Sequence, residues 1–268
     1  KRFFSAPFMA FMLCGTLIPA CVIAYYGMTD RSGAFTLANL VAIASGEHAK
    51  ALGLSLLLAF ASTVICLLLA FPLGLALKDS KLGKKGFMVF VFILPMWMNF
   101  LLRTMAWQVL LEKNGIINGM LASIGLPALN IINTPAAVIL GMVYDYLPFM
   151  ILPIYNALIK IDNNLIEAAY DLGASKSLVF RKVIVPLSVP GIVSGVTMVF
   201  VPSLTTFAIS NMLGGGKVNL IGNIIEQEFT ASSNWNLGSG LSLVMMIFIV
   251  ISMAFIEKFD RNGEGNMI

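Results

Sequence analysis

The chain has 268 residues, of which 59% are hydrophobic and only 11% charged, with a formal net charge of +4 at pH 7. That charged share is roughly half of what ordinary soluble domains carry. A water-soluble fold is therefore excluded for want of polar surface, and the expectation is an all-α membrane protein with one compact domain over residues 1–268.

A membrane-crossing helix needs ~20 mostly apolar residues, and six stretches qualify. In chain order they run approximately Pro7–Tyr26, Ala51–Leu77, Gly86–Leu110, Pro135–Ile159, Leu187–Asn211 and Leu237–Ile256. Barrel strands, at ~10 residues of alternating polarity, do not match such long uniform runs. The first stretch follows Lys1 and Arg2, yet at about 20 apolar residues it exceeds the ~7–15-residue core of a signal peptide. It is expected to span. Cys14 and Cys21 in it, and Cys66 in the second stretch, read as small apolar residues without the spacing of a metal site or a disulfide frame. His48, between these stretches, has no Cys or His companion, so no metal site is expected.

The third stretch carries Trp97, Arg103, Thr104 and Gln108. At i, i+7 and i+11, Trp97, Thr104 and Gln108 are expected on one helical face, which suits either a cavity lining or simple packing. The fourth stretch places Asp145 roughly 15 Å from its start, near the bilayer midplane. A carboxylate at that depth is costly and is usually functional or paired. Arg103 falls within ~5 Å of the same depth, so an Asp145–Arg103 ion pair and a direct substrate role both stand. Pro148 and Pro153 here, and Pro202 in the fifth stretch, predict kinks or local unwinding.

Between the fourth and fifth stretches lies EAAYDLGASKSLVFRKVIVPLSVPG, Glu167–Gly191. Asn164 and Glu167 have the spacing of a capping box, Ala168, Ala169 and Leu172 continue a small apolar face, and Gly173 suits a left-handed helix terminator. Ser175 is placed to cap a second short helix through Phe180 to Ile184, which Pro186 is expected to end. Two readings of this helix–turn–helix follow from the residues. It is an amphipathic loop on lipid headgroups, or a docking surface whose small residues admit a partner's backbone while Glu167, Asp171, Lys176, Arg181 and Lys182 orient it.

In the fifth stretch Gly191 and Gly195 form a G-x-x-x-G that permits a close helix crossing. The following loop, LGGGKVNL over Leu213–Leu220, has Asn211 where a phosphate-binding loop needs Gly and Val218 where it needs Ser or Thr. ATP hydrolysis by this chain is not expected. Glu226 and Glu228 follow on the same side, suited to attracting cations, to receiving a partner or to neither.

Basic residues mark the cytoplasmic side. One side collects twelve Lys and Arg (Lys1, Arg2, Lys78, Lys81, Lys84, Lys85, Lys160, Lys176, Arg181, Lys182, Lys258 and Arg261), against Arg31, Lys50, Lys113 and Lys217 on the other. Both termini and the Glu167 segment are thereby expected in the cytoplasm. The basic clusters read as headgroup anchors, with no nucleic-acid partner.

The Glu167 segment resembles the EAA loop of ABC-importer permeases: EAA, three residues, Gly, nine residues, then Ile-x-Leu-Pro. Here Glu167-Ala168-Ala169 is followed by Gly173 and by Val183-Ile184-Val185-Pro186, with Val at two of the family's Ile and Leu positions. The stretches Ile93–Leu121, Gly141–Asp162 and Asn211–Gln227 are similar to permeases of spermidine/putrescine importers, and related permeases carry iron, thiosulfate or phosphonates. An ion-gradient-driven secondary transporter is a weaker alternative, since internal repeats and several buried carboxylates are not evident.

The resemblance implies a type I ABC-importer permease architecture with six transmembrane helices in the inner (cytoplasmic) membrane and a cytoplasmic coupling loop at about 162–186. The implied partners are a second, C-type permease subunit, an ATPase subunit dimer and an extracytoplasmic substrate-binding protein. It implies no cofactor in this chain, with ATP and Mg bound by the partner ATPase. Glu167, Ala168, Ala169, Asp171, Gly173 and Arg181 become candidates for ATPase coupling. Asp145, Tyr144, Tyr146, Trp97, Thr104 and Gln108 become candidates for the substrate pathway, because polyamine ammonium groups favour carboxylates and aromatic faces.

Overall fold

The computed structural model describes residues 2–80 and 91–265. Residues 86–90 of the third predicted stretch lie outside them, as do Lys1, Lys81, Lys84 and Lys85. Regular structure among the described residues is helical, with one isolated bridge between Thr29 and Phe35. Among the described residues the α-helices are, in order, α1 Arg2–Gly27, α2 Ala38–Val41, α3 Gly46–Asp79, α4 Phe100–Leu111, α5 Ile116–Ser123, α6 Pro135–Leu158, α7 Asn163–Asp171, α8 Lys176–Val179, α9 Val185–Thr205, α10 Ala208–Gly214, α11 Ile221–Thr230 and α12 Trp235–Gly265. The continuous spans Gly46–Asp79, Pro135–Leu158, Lys176–Thr205 and Trp235–Ile256 are each long and apolar enough to cross a membrane, and α1 adds the apolar run Phe11–Gly27.

The third and fifth predicted stretches differ from continuous helices. In the third, Pro95 sits in a short 3₁₀ turn, Leu94–Trp97, Met98 is extended, and Asn99 restarts the chain as the cap of α4 by accepting from the Leu101 amide at 2.8 Å. An Asn side chain competes well for free helix-start amides, so the apolar run is cut there. In the fifth, α9 ends at Thr205, Thr206 is extended and α10 begins at Ala208. The Thr205 hydroxyl donates back to the Val201 carbonyl at 3.1 Å, a bond that competes with the helical ladder. Pro202 lies just upstream of this break.

The chain divides into two compact units. One comprises Leu54–Asn219 and Ser252–Ile268. Its core joins Cys66, Ala70 and Leu77 of α3 to Met150, Ile151, Ile154, Tyr155 and Leu158 of α6 and Val199 of α9. Without a hydrophobic driving force between helices in lipid, close packing carries such contacts. Glycine supplies it here: a Cβ on Gly191 would lie 2.6 Å from the Pro153 carbonyl oxygen and 2.5 Å from the Ala157 Cβ, and one on Gly195 2.7 Å from Met150 Sδ. The predicted G-x-x-x-G is therefore the seam between α9 and α6.

The other unit comprises Lys1–Gly53 and Leu220–Ile251. Its apolar centre is Ala51, Ile224 and Leu241. The Asn236 amide donates to the carbonyls of Tyr26 at 3.1 Å and Thr29 at 2.7 Å, and the Asn39 amide to that of Thr29 at 2.9 Å. The Tyr26 carbonyl is one that α1 leaves free of the helical ladder at its end, and the Thr29 carbonyl belongs to the turn that follows. Trp235 stacks edge-on with Phe229 at 5.5 Å and lies 6.3 Å from Tyr26.

Candidate functional site

Asp145 is the eleventh residue of α6, and its side chain is 2% exposed. Across from it on α4, Arg103 is 6% exposed, with Nη2 3.3 Å from Asp145 Oδ1. The ion-pair alternative raised by depth alone is thus present. Thr104 Oγ1 lies 3.0 Å from Asp145 Oδ2 and 2.9 Å from the Phe100 carbonyl, able to donate to either. That Thr104 supports Asp145 is not readable from spacing, although its place beside Arg103 on α4 brings both to one side.

Aromatic rings flank this pair. The Arg103 guanidinium carbon is 6.0 Å from the centroid of the Tyr144 ring, within the range of a cation–π contact. Trp107 meets Tyr144 edge-on at 5.4 Å. Trp107 was not among the expected site residues, yet it follows Arg103 by four positions, the spacing that makes helix neighbours. Tyr146 turns toward the broken end of α9, where its hydroxyl lies 3.5 Å from the Pro202 carbonyl.

One expectation is corrected. Trp97, Thr104 and Gln108 do not share a helical face, because the break at Met98 and Asn99 separates Trp97 from α4. Trp97 is 73% exposed while Thr104 is 1% exposed. Thr104 and the half-buried Gln108, four residues apart within α4, keep their common register. Glu226 and Glu228 engage locally: Glu226 accepts from Thr230 at 3.1 Å and Glu228 from Ser232 at 3.5 Å.

The Glu167 segment forms two helices and a left-handed turn. The start of α7 corrects the expected cap: Asp162, rather than Asn164, accepts from the Asn164 amide at 2.9 Å. Asp and Asn are comparable caps, and the helix begins at the earlier one. At its other end the Gly173 amide bonds the Tyr170 carbonyl at 2.8 Å and the Ala174 amide bonds the Ala169 carbonyl at 3.0 Å. This is the Schellman arrangement. Gly173 has φ +82°, which a side-chain-bearing residue adopts only at a penalty. Ser175 caps α8 as expected, accepting from the Leu178 amide at 3.4 Å.

Pro186 does not end the second helix. A π turn, Phe180–Ile184, closed by the Val185 amide on the Phe180 carbonyl, leads directly into α9. Proline has no amide to donate and its ring crowds the preceding turn, so a widened turn just before Pro186 lets the helix run on from Lys176 to Thr205. Ile166 packs on the core of the unit, Val179 is buried, and Phe180 meets Phe71 edge-on at 5.7 Å. Facing out are Glu167, Ala168, Asp171 and Arg181, with Ala169 half-buried. Leu172, expected on the apolar face of α7, is 89% exposed, and Leu165 and Leu178 are also exposed.

Comparison with known proteins adds the context for both regions. The family described as binding-protein-dependent transport system inner membrane component matches residues 1–262. The spermidine/putrescine transport system permease protein PotB of Haemophilus influenzae is 36% identical over 260 residues, covering 92% of this chain and 91% of that protein. PotB of Escherichia coli is 36% identical over 229 residues, covering 85% of this chain and 83% of its own. Among solved structures, a bacterial ABC transporter involved in import of the acidic polysaccharide alginate superposes with a TM-score of 0.80 at 16% identity, over 96% of this chain and 93% of that chain. An inward-facing MetNI methionine ABC transporter gives 0.52 at 20% identity, over 81% and 94%.

Proposed function

This chain belongs to the family of binding-protein-dependent transport system inner membrane components, and from that premise we propose that it is a permease subunit of an ATP-driven importer of polyamines. The observation that carries the substrate class is the 36% identity, across nine-tenths of both chains, to a spermidine/putrescine permease. Among the described residues, a carboxylate inside α6 flanked by Tyr144 and Tyr146 supplies chemistry suited to ammonium groups.

In this reading a second permease shares the pathway and an extracytoplasmic binding protein delivers substrate. The α7–α8 segment docks on a cytoplasmic ATPase, which binds ATP and Mg. Its exposed leucines, set among Glu167, Asp171 and Arg181 and held by the Schellman turn and the Phe180 anchor, suit a rigid lever. Closure of the ATPases would move that lever and rock the permeases between inward- and outward-facing states. The excess of basic residues beside α7, α8 and the ends of α3 and α12 supports cytoplasmic termini.

Uptake of radiolabelled spermidine in cells lacking this chain, then restored with it, tests the reading. Uptake that requires both the chain and cellular ATP is expected. An intact complex that restores neither spermidine nor putrescine uptake would refute the polyamine assignment.

A further inference from the structure

We infer that Arg103 is an exchangeable occupant of Asp145: it holds the position on that carboxylate that a substrate ammonium group takes during transport. The inference rests on the polyamine reading above and adds a role for Arg103 that the reading does not contain. A structural Arg–carboxylate pair is commonly bidentate, two parallel bonds that satisfy both oxygens. Here one guanidinium nitrogen, Nη2, approaches one oxygen at 3.3 Å. Oδ1 itself has no hydrogen bond of acceptable geometry, and Arg103 Nε and Nη1 are buried without a partner.

Such unsatisfied donors and acceptors are costly in an interior, and each calls for an explanation, of which a functional role is one. The two oxygens of Asp145 are unequally bound. Thr104 Oγ1 lies 3.0 Å from Oδ2 and is able to donate to it whichever cation faces the carboxylate, while Oδ1 is left to the loosely placed guanidinium. An ammonium is a compact point charge with rotatable donors, better suited than the planar fork to complete a hydrogen bond on that single oxygen. Tyr144 provides the adjoining surface. Its exposed ring already lies 6.0 Å from the guanidinium carbon, so a cation moving on or off Asp145 keeps an aromatic face beside it. The exchange keeps Asp145 neutralised before and after substrate passes, as a carboxylate in the membrane requires, while the displaced guanidinium keeps the Tyr144 face beside it.

The test uses the complete transporter reconstituted in vesicles with wild-type, R103Q, D145N and R103Q/D145N chains. Spermidine uptake is measured against concentration, and complex assembly is followed separately in detergent. Loss of a charge-assisted contact corresponds to about 10- to 100-fold in affinity, so D145N is expected to raise KM by that factor. R103Q removes the competitor, lowering KM by about tenfold and lowering kcat because release slows.

The double variant has no unpaired charge. It is expected to assemble like wild type while keeping the raised KM of D145N. A double variant with wild-type KM and kcat would overturn the exchange, because the pair would then serve packing alone. Single variants that fail to assemble leave the decision to that double variant. A wild-type complex that assembles but does not carry spermidine overturns the polyamine reading, and the exchange with it.

Discussion

Between α4 and α6, two ionic side chains less than a tenth exposed face each other among apolar helices. Some twenty residues on, α7 and α8 leave Leu165, Leu172 and Leu178 turned outward. The first region keeps polarity where the surroundings are apolar, and the second keeps apolar surface where water is expected. Each is a local mismatch with its solvent, and each mismatch has a different remedy. A buried charge needs a partner inside the chain, because nothing in lipid will neutralise it. Exposed leucines on a well-capped helix suit the docking partner proposed above, which would cover them.

The largest expected effect comes from breaking the inner pair on one side only. Asp145→Ala leaves Arg103 buried and uncompensated, a change that lowers stability by about 3–5 kcal/mol. Thermal unfolding of the solubilised complex would show it, and adding Arg103→Met should return most of the loss. If the single and double changes destabilise equally, the pair is not what secures α4 against α6. Gly191→Leu, next in size, drives a side chain into the Pro153 carbonyl and Ala157. Overpacking of this kind costs about 1–3 kcal/mol, seen in the same unfolding experiment.

The outer region predicts a smaller stability effect with a larger functional one. A Cβ on Gly173 would meet nothing within 4 Å, but φ there is +82°. Gly173→Val therefore strains only the backbone turn, by about 1–2 kcal/mol, and should reduce co-purification of the ATPase far more than it lowers the melting temperature of the permease.

A second carboxylate, exposed rather than buried, sharpens the contrast. Asp30, in the loop after α1, accepts from the Ser32 hydroxyl at 2.6 Å and from the amides of Ser32 at 2.8 Å and Ala34 at 2.9 Å. These bonds, the Ser32 hydroxyl first, hold its pKa below the ordinary value of 3.8. A carboxyl with a depressed folded value adds stability that is present above the unfolded value and lost as pH falls through the folded one. Amide protection of Ser32 and Ala34 should therefore stay constant from neutral pH to near 3.8 and decline below it. Asp30→Asn should remove that decline.

How much of this was legible in the sequence varies by element. α3, α6 and α12 are long apolar runs without an internal cap, and their existence followed from length alone. Hydropathy alone makes the third stretch one helix and hides Asn99, a polar residue whose natural place is a helix start. The depth of Asp145 and Arg103 allowed their pairing to be anticipated. The support from Thr104 and the edge-on Trp107 depends on which way α4 faces α6, and no one-dimensional pattern carries that. In the Glu167 segment the glycine terminator was legible, since few residues accept its backbone geometry. The π turn before Pro186 was not, because proline reads equally as a stop or as the first turn of the next helix.

The measurement that bears most directly on the account is ATP hydrolysis by the reconstituted complex, with and without spermidine-loaded binding protein, for wild type and Leu172→Asp. Leu172 is 89% exposed, so the substitution should change permease stability by no more than about 0.5 kcal/mol. The account predicts that loaded binding protein stimulates hydrolysis with the wild-type chain and that Leu172→Asp abolishes the stimulation in an otherwise folded permease. Undiminished stimulation by the Leu172→Asp complex would contradict it.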